Sequence, residues 1–204
     1  HFTIHSFPTR RSSDLFGFHG HGGVVLPAGE LTDVVDPGAS LGGGVSHFLT
    51  RNVGLWANTD VQFLTGTTDD AGNTFPDMRM VHVGAGAELN LFRGYELRDD
   101  PDPTPVTATF RLGAGFSSLD TEDTLDGDRP SPVGFDHTYL SFHGGATAGY
   151  QVTPRLNVFA GSTAYLMITD LEDTRVLADH SPEADVFDTA WVIPLHAGVR
   201  LTLR

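Results

Sequence analysis

A few ionisable residues stand where the sequence otherwise places uncharged polar ones. Asp60, Glu88, Arg111 and Arg200 occupy polar positions of segments that alternate between apolar and polar residues, and His82, His143 and His196 share those positions. Arg79 is read with the same charges. Carboxylates, guanidiniums and imidazoles gathered on one face can neutralise one another as a buried structural network, because an unpaired buried charge is strongly destabilising. They can also relay protons or ions. The structural network is the expected reading. Glu88 and Arg111 lie at similar distances from the turn between their segments, so they are expected to pair. Asp60 and Arg200 are expected to join a network with the three histidines.

Other spacings suggest chemistry more weakly. His19-Gly20-His21 puts two imidazoles on one side of an extended segment, a spacing that can ligate a metal ion. It lacks a nearby Cys or carboxylate partner, so two interior histidines are expected and no metal site is assigned. The run Asp120–Asp128 (DTEDTLDGD) has the charge for Ca²⁺ but not the spacing of an EF-hand, and reads as a solvated acidic loop. A hydrolase needs Ser, His and an acid converging on one point. His137, His180 and Ser181 have acids around them, but no fixed spacing unites them, and no catalytic residue is assigned. The glycine run Leu41–Ser46 (LGGGVS) is not a phosphate loop, since neither a helix nor a Lys follows. No cofactor is implied.

The elements that position these residues are strands. With 24 Gly, 12 Pro and weak helical periodicity, the composition favours a β protein, and no apolar run is long enough for a membrane helix. The absence of Cys excludes disulfides and thiol chemistry. A formal charge of −14 excludes nucleic acid as a partner, which would require a basic surface. Residues His5–Leu15 (HSFPTRRSSDL) reproduce one reading frame of a common short-read sequencing adapter, so residues 1–15 are expected to be non-native and the domain to span 16–204.

Period-two patterning gives eight segments, roughly 16–26, 38–49, 53–65, 78–92, 106–119, 138–152, 156–168 and 189–204. Alternation is strict in the third to sixth and in the last, and blurred in the Gly-rich first, second and seventh. Thr50–Asn52 and Thr153–Arg155 read as tight turns, and 93–105 as a longer one. Longer loops are expected at 27–37, 66–77, 120–137 and 169–188. Sixteen of the 26 acidic residues lie in the last three of these, against only Arg129 and Arg175.

Alternation alone does not say which face meets solvent. A soluble lipocalin-like barrel would carry a charged exterior, typically about 25–35% Lys, Arg, Glu and Asp. The polar faces here are mostly Gly, Ser, Thr, Asn and His, which suit the filled interior of an eight-stranded barrel. The Ala-, Leu-, Val- and Phe-rich faces would then meet lipid. Trp56, Trp191, Tyr139 and Tyr165 are candidates for interfacial girdles or for interior filling.

The last segment carries a further pattern, polar-x-Gly-x-x-apolar-x-apolar, filled by His196, Gly198, Leu201 and Leu203. It resembles the terminal insertion signal of bacterial outer-membrane barrels, with Leu203 where an aromatic is usual. With the strand count, the loop asymmetry and turns such as Gly149–Gly161 (GYQVTPRLNVFAG), residues 16–204 resemble the OmpA-like eight-stranded outer-membrane β-barrel family. The resemblance implies an all-β, antiparallel, up-and-down transmembrane barrel in the cell outer membrane. It also implies a monomer with a plugged lumen, surrounded by outer-membrane lipid and lipopolysaccharide and inserted by the barrel-assembly machinery. A role in envelope integrity or surface interaction follows, without enzymatic activity. The alternatives are a barrel enzyme acting on outer-membrane lipid and a soluble ligand-binding barrel. No peptidoglycan-binding domain is expected after the eighth strand. Closure is expected to be least secure where the last strand meets residues 16–26.

Overall fold

The computed structural model describes residues 16–50, 52–68, 77–93, 105–121, 136–169 and 189–203. They form eight strands: β1 (Phe16–Ala28), β2 (Val35–Phe48), β3 (Val53–Gly66), β4 (Met78–Arg93), β5 (Val106–Thr121), β6 (Asp136–Gln151), β7 (Leu156–Ile168) and β8 (Thr189–Leu203). Each pairs antiparallel with its neighbours in sequence, and β8 returns to β1 to close an up-and-down barrel. Closure leaves no edge of unpaired backbone groups, the condition for strands to lie in lipid.

The β1–β8 seam runs without interruption from Phe16↔Leu203 to Ala28↔Trp191, so residues 16–26 are paired with β8 along their whole length. Other ladders are interrupted: β2–β3 shifts register between Asp36 and Ala39, β4–β5 between Asn90 and Phe92, and β7–β8 skips between Ser162↔Leu195 and Tyr165↔Val192. The β8 side of the last gap contains Pro194, whose nitrogen cannot donate a ladder hydrogen bond.

Two turns close by the same local device. The Thr50 hydroxyl accepts from the backbone N–H groups of Asn52 (3.3 Å) and Val53 (3.0 Å), and the Thr153 hydroxyl accepts from those of Arg155 (3.3 Å) and Leu156 (3.0 Å). A threonine that satisfies the turn backbone in this way fixes where each hairpin reverses. The first long loop differs from expectation. β1 continues to Ala28 and β2 starts at Val35, with only the short 3-10 segment Gly29–Asp33 and Val34 between them.

That segment folds inward. Leu31 and Val34 are buried against Val25, Leu64, Met80, Leu119, Tyr139, Met167 and Val192, forming an apolar layer at the long-loop end of the lumen. The polar interior lies below it, toward the short turns.

Candidate functional site

The lumen is the only candidate site that the described residues build, and strand register decides its contents. Glu88 faces Arg111 directly across the β4–β5 ladder. Both point inward, because the even positions of β4 and odd positions of β5 alternate with lipid-facing neighbours. Arg111 Nε donates to Glu88 Oε2 at 3.2 Å, and Arg200 Nη2 donates to the same oxygen at 3.5 Å. Asn90 Nδ2 reaches Glu88 Oε1 at 3.4 Å and is itself held by the Thr109 hydroxyl, which donates to Asn90 Oδ1 at 2.8 Å. Arg111 Nη1 lies 3.3 Å from His19 Nε2, and its guanidinium stands over the Trp56 ring, 5.4 Å from the centroid. Glu88 is 1% exposed, so this charge-assisted cluster acts in a low-dielectric interior.

Asp60 belongs to a second cluster, not to Arg200. His21 Nε2 lies 2.6 Å from Asp60 Oδ1, the Tyr165 hydroxyl donates to Oδ2 at 2.7 Å, and Asn58 Nδ2 also donates to Oδ2. His21 therefore does have a carboxylate partner, contrary to the reading of the His19-Gly20-His21 spacing. Gly42 makes the contact possible. It lies opposite His21 on one side and opposite Asp60 on the other. A Cβ there would fall 1.9 Å from Asp60 Oδ1 and 2.8 Å from His21 Nε2.

The remaining histidines surround the partners of Asp60: His82 and His143 pack on the Tyr165 ring, with centroids 4.5 and 5.7 Å away, and on each other at 4.9 Å, while His196 packs on His21. His82 Nδ1 lies between the hydroxyls of Ser117 (3.0 Å) and Ser141 (3.1 Å). His143 packs against Trp56, with ring centroids 4.7 Å apart, and His196 against His21 at the same 4.7 Å. The Glu88 cluster adjoins the Asp60 cluster through His19, which contacts Arg111 and stacks on His21 with ring centroids 5.9 Å apart.

Several other readings are now placed. Arg79 is not interior. It has the parity of the lipid-facing residues and forms a half-exposed ion pair with Asp120 at the long-loop rim, at 2.5 Å. Trp56, Tyr139 and Tyr165 are buried inside, whereas Trp191 faces outward at 41% exposure. His196 and Gly198 of the terminal pattern lie on the inward side of β8, and Leu201 and Leu203 are exposed on its outer side. Residues 1–15, His180, Ser181 and most of Asp120–Asp128 lie outside the described residues, as does the His137 side chain.

Sequence reasoning missed Tyr165, Asn58 and His21 as partners of Asp60. For Asn58 a signal existed, since it shares the inward parity of β3. For Tyr165 it did not, because Gly161–Ala164 blur the alternation of β7.

Chemically, these groups hydrogen-bond and ion-pair with one another. Both interior carboxylates are occupied by donors. His82, Ser117 and Ser141 are fully buried, so no substrate can reach this Ser–His contact. Among the described residues, no group of three or more His, Asp or Glu is placed to hold a metal ion.

The outer surface is the inverse of the interior. Leu112 (72% exposed), Leu41, Phe116 and Val83 head a belt of exposed apolar side chains on all eight strands. Soluble monomers rarely expose more than a few hundred Å² of contiguous apolar surface, and this belt encircles the barrel. It is the surface of a transmembrane barrel.

No family model matches the chain, and no curated protein does. Solved structures do match. Neisserial surface protein A superposes with a TM-score of 0.59 at 14% identity, over 92% of this chain and 96% of that one. The outer membrane protein OprG of Pseudomonas aeruginosa gives 0.51 at 10% identity, over 95% and 98%. The attachment invasion locus protein Ail of Yersinia pestis, in complex with the heparin analogue sucrose octasulfate, gives 0.50 at 11% identity, over 93% and 97%. At these identities the likeness shows the fold. Exterior and fold together are those of an eight-stranded outer-membrane β-barrel.

Proposed function

We propose that this outer-membrane barrel is a non-conducting, non-enzymatic envelope protein, whose role in envelope integrity or surface interaction is carried at its long-loop end. The observation that supports the reading is the set of side chains buried inside the barrel. The polar clusters of Glu88 and Asp60 occupy its middle, and Val25, Met80, Met167 and Val192, all fully buried, lie above them toward the long loops. Such an interior supports a wall and a display platform rather than a passage. The acidic residues concentrated in the sequence of the long loops suit contacts with cationic or hydroxylated surfaces, and with divalent ions that bridge lipopolysaccharide phosphates. Lipid and lipopolysaccharide are the surroundings, the barrel-assembly machinery reads the β8 pattern, and the protein acts as a monomer.

Planar-bilayer recording of the purified protein tests this reading. The expected result is no stable conductance; a large, steady conductance overturns it. Heat-modifiable gel migration after detergent extraction is expected, and a monomer that folds in buffer without detergent contradicts the membrane assignment. Lipid A recovered with and without expression is expected to be identical, and a changed lipid A would make the barrel an enzyme.

A further inference from the structure

We infer that the short-turn mouth of the barrel binds a small oxyanion, a phosphate, sulfate or carboxylate group, on Arg200. Glu88 is shared by two guanidiniums, Arg111 at 3.2 Å and Arg200 at 3.5 Å. The cluster therefore holds two positive charges against one negative. Asp60, the other interior carboxylate, is engaged by His21, Tyr165 and Asn58 and contacts neither arginine. Arg111 is enclosed by Glu88, His19 and Trp56. Each guanidinium keeps one buried nitrogen without a hydrogen-bond partner among the described residues, Nη2 of Arg111 and Nε of Arg200, and of the two it is Arg200 that borders open space.

Arg200 lines a cavity of about 40 Å³, open on one side, at the short-turn end. Asn90, Thr107, Asn157 and Thr202 supply its polar wall, Phe159 supplies an apolar one, and no carboxylate lines it. The wall is rich in donors. Asn157 Nδ2 donates to the Thr107 hydroxyl at 3.0 Å, which leaves the Thr107 hydroxyl hydrogen and the second Asn157 N–H to donate. A surplus guanidinium, neutral donors and an adjoining aromatic wall select an anion, because charge-assisted hydrogen bonds gain strength where water is partly excluded. The size selects a small one. A water needs roughly 10–15 Å³ on this measure, so the cavity takes about three waters, or one tetrahedral or planar oxyanion in their place. The chain as a whole is strongly acidic and repels anions, so this site stands out by its local geometry and not by net charge.

The test is calorimetric titration of the detergent-folded protein with inorganic phosphate and, separately, with acetate, against chloride at matched ionic strength. Saturable binding of phosphate or acetate that chloride does not reproduce is expected, with about ten-fold or greater loss in Arg200→Gln. Saturation by phosphate alone assigns the site to phosphate and sulfate groups, and saturation by both to oxyanions generally. No saturable heat with either anion, or unchanged affinity in Arg200→Gln, overturns the inference. Should Arg200→Gln lose its heat-modifiable fold, Thr107→Val and Asn157→Leu decide. Neither touches the Glu88 cluster, both are expected to bind several-fold more weakly, and wild-type affinity in both overturns the site.

Discussion

Glu88 and Arg111 face each other across the β4–β5 ladder, and their side chains meet at 3.2 Å inside the barrel. The pair is set by register alone. Both residues sit on strictly alternating strands joined by one connection, so their inward parity and height follow from the pleat. Arg200 arrives from β8 on the far side, which makes Glu88, among the described residues, the only carboxylate in contact with two guanidiniums.

Removing that carboxylate leaves both arginines buried and uncompensated. Glu88→Ala is expected to destabilise the folded barrel by about 3–5 kcal/mol, the range for breaking a buried ion pair by truncating one partner. Glu88→Gln should cost less, because its amide oxygen still accepts a hydrogen bond. Urea-dependent unfolding from lipid vesicles measures both. A loss below about 1 kcal/mol for the alanine variant would mean that the arginines are solvated and the lumen is wet.

The second cluster depends on an absent side chain. Gly42→Ala would place a methyl group between His21 and Asp60, 1.9 Å from one carboxylate oxygen. Forcing these two residues apart is expected to cost about 1–3 kcal/mol, as for overpacking of a tight core. Gly20→Ala, on the outer face of β1 and 4.0 Å from its nearest neighbour, should stay within about 0.5 kcal/mol. Equal effects at the two positions would contradict the packing described for Gly42.

The contrast between the clusters explains what could be read from the sequence. The eight strands and the Glu88–Arg111 pairing were legible because strict alternation fixes face, and a shared connection fixes height. The Asp60 cluster was not, because His21 lies 39 residues from Asp60 and reaches it across β2 through a glycine. That contact depends on register summed over two ladders, which no local pattern reveals. The apolar layer was equally hidden. Leu31 and Val34 sit in a stretch without period, and only the fold shows that it turns inward. Arg79 differs from the interior charges only in its parity, which it shares with Val81 and Val83, so its charge alone does not tell rim from lumen.

Arg79 provides the control for electrostatics outside the lumen. Its pair with Asp120 is short but half-exposed at the rim. Asp120→Asn is expected to change stability by less than about 1 kcal/mol, with the residual effect disappearing in high salt. A cost comparable to that of Glu88→Ala would show that the rim is less hydrated than its exposure implies. The same unfolding assay reads both variants.

The apolar layer makes a separable prediction about permeability. Leu31→Asn with Val34→Asn removes the contribution of the 3-10 segment to the layer, and truncating buried aliphatic side chains of this size costs about 2–5 kcal/mol where the site does not collapse. The barrel should nevertheless remain non-conducting, because Val25, Met80, Met167 and Val192 project from the strands themselves and stay fully buried beneath that segment. Adding Met80→Ser and Val192→Ser removes part of this strand-borne layer and joins the loop end to the polar interior around Asp60. Only the four-fold variant is then expected to show conductance events in planar bilayers. If the double variant alone conducts, the seal lies in the first loop rather than in the strands. If the four-fold variant folds and stays silent, the side chains around Asp60 and Glu88 close the lumen without help from the apolar layer.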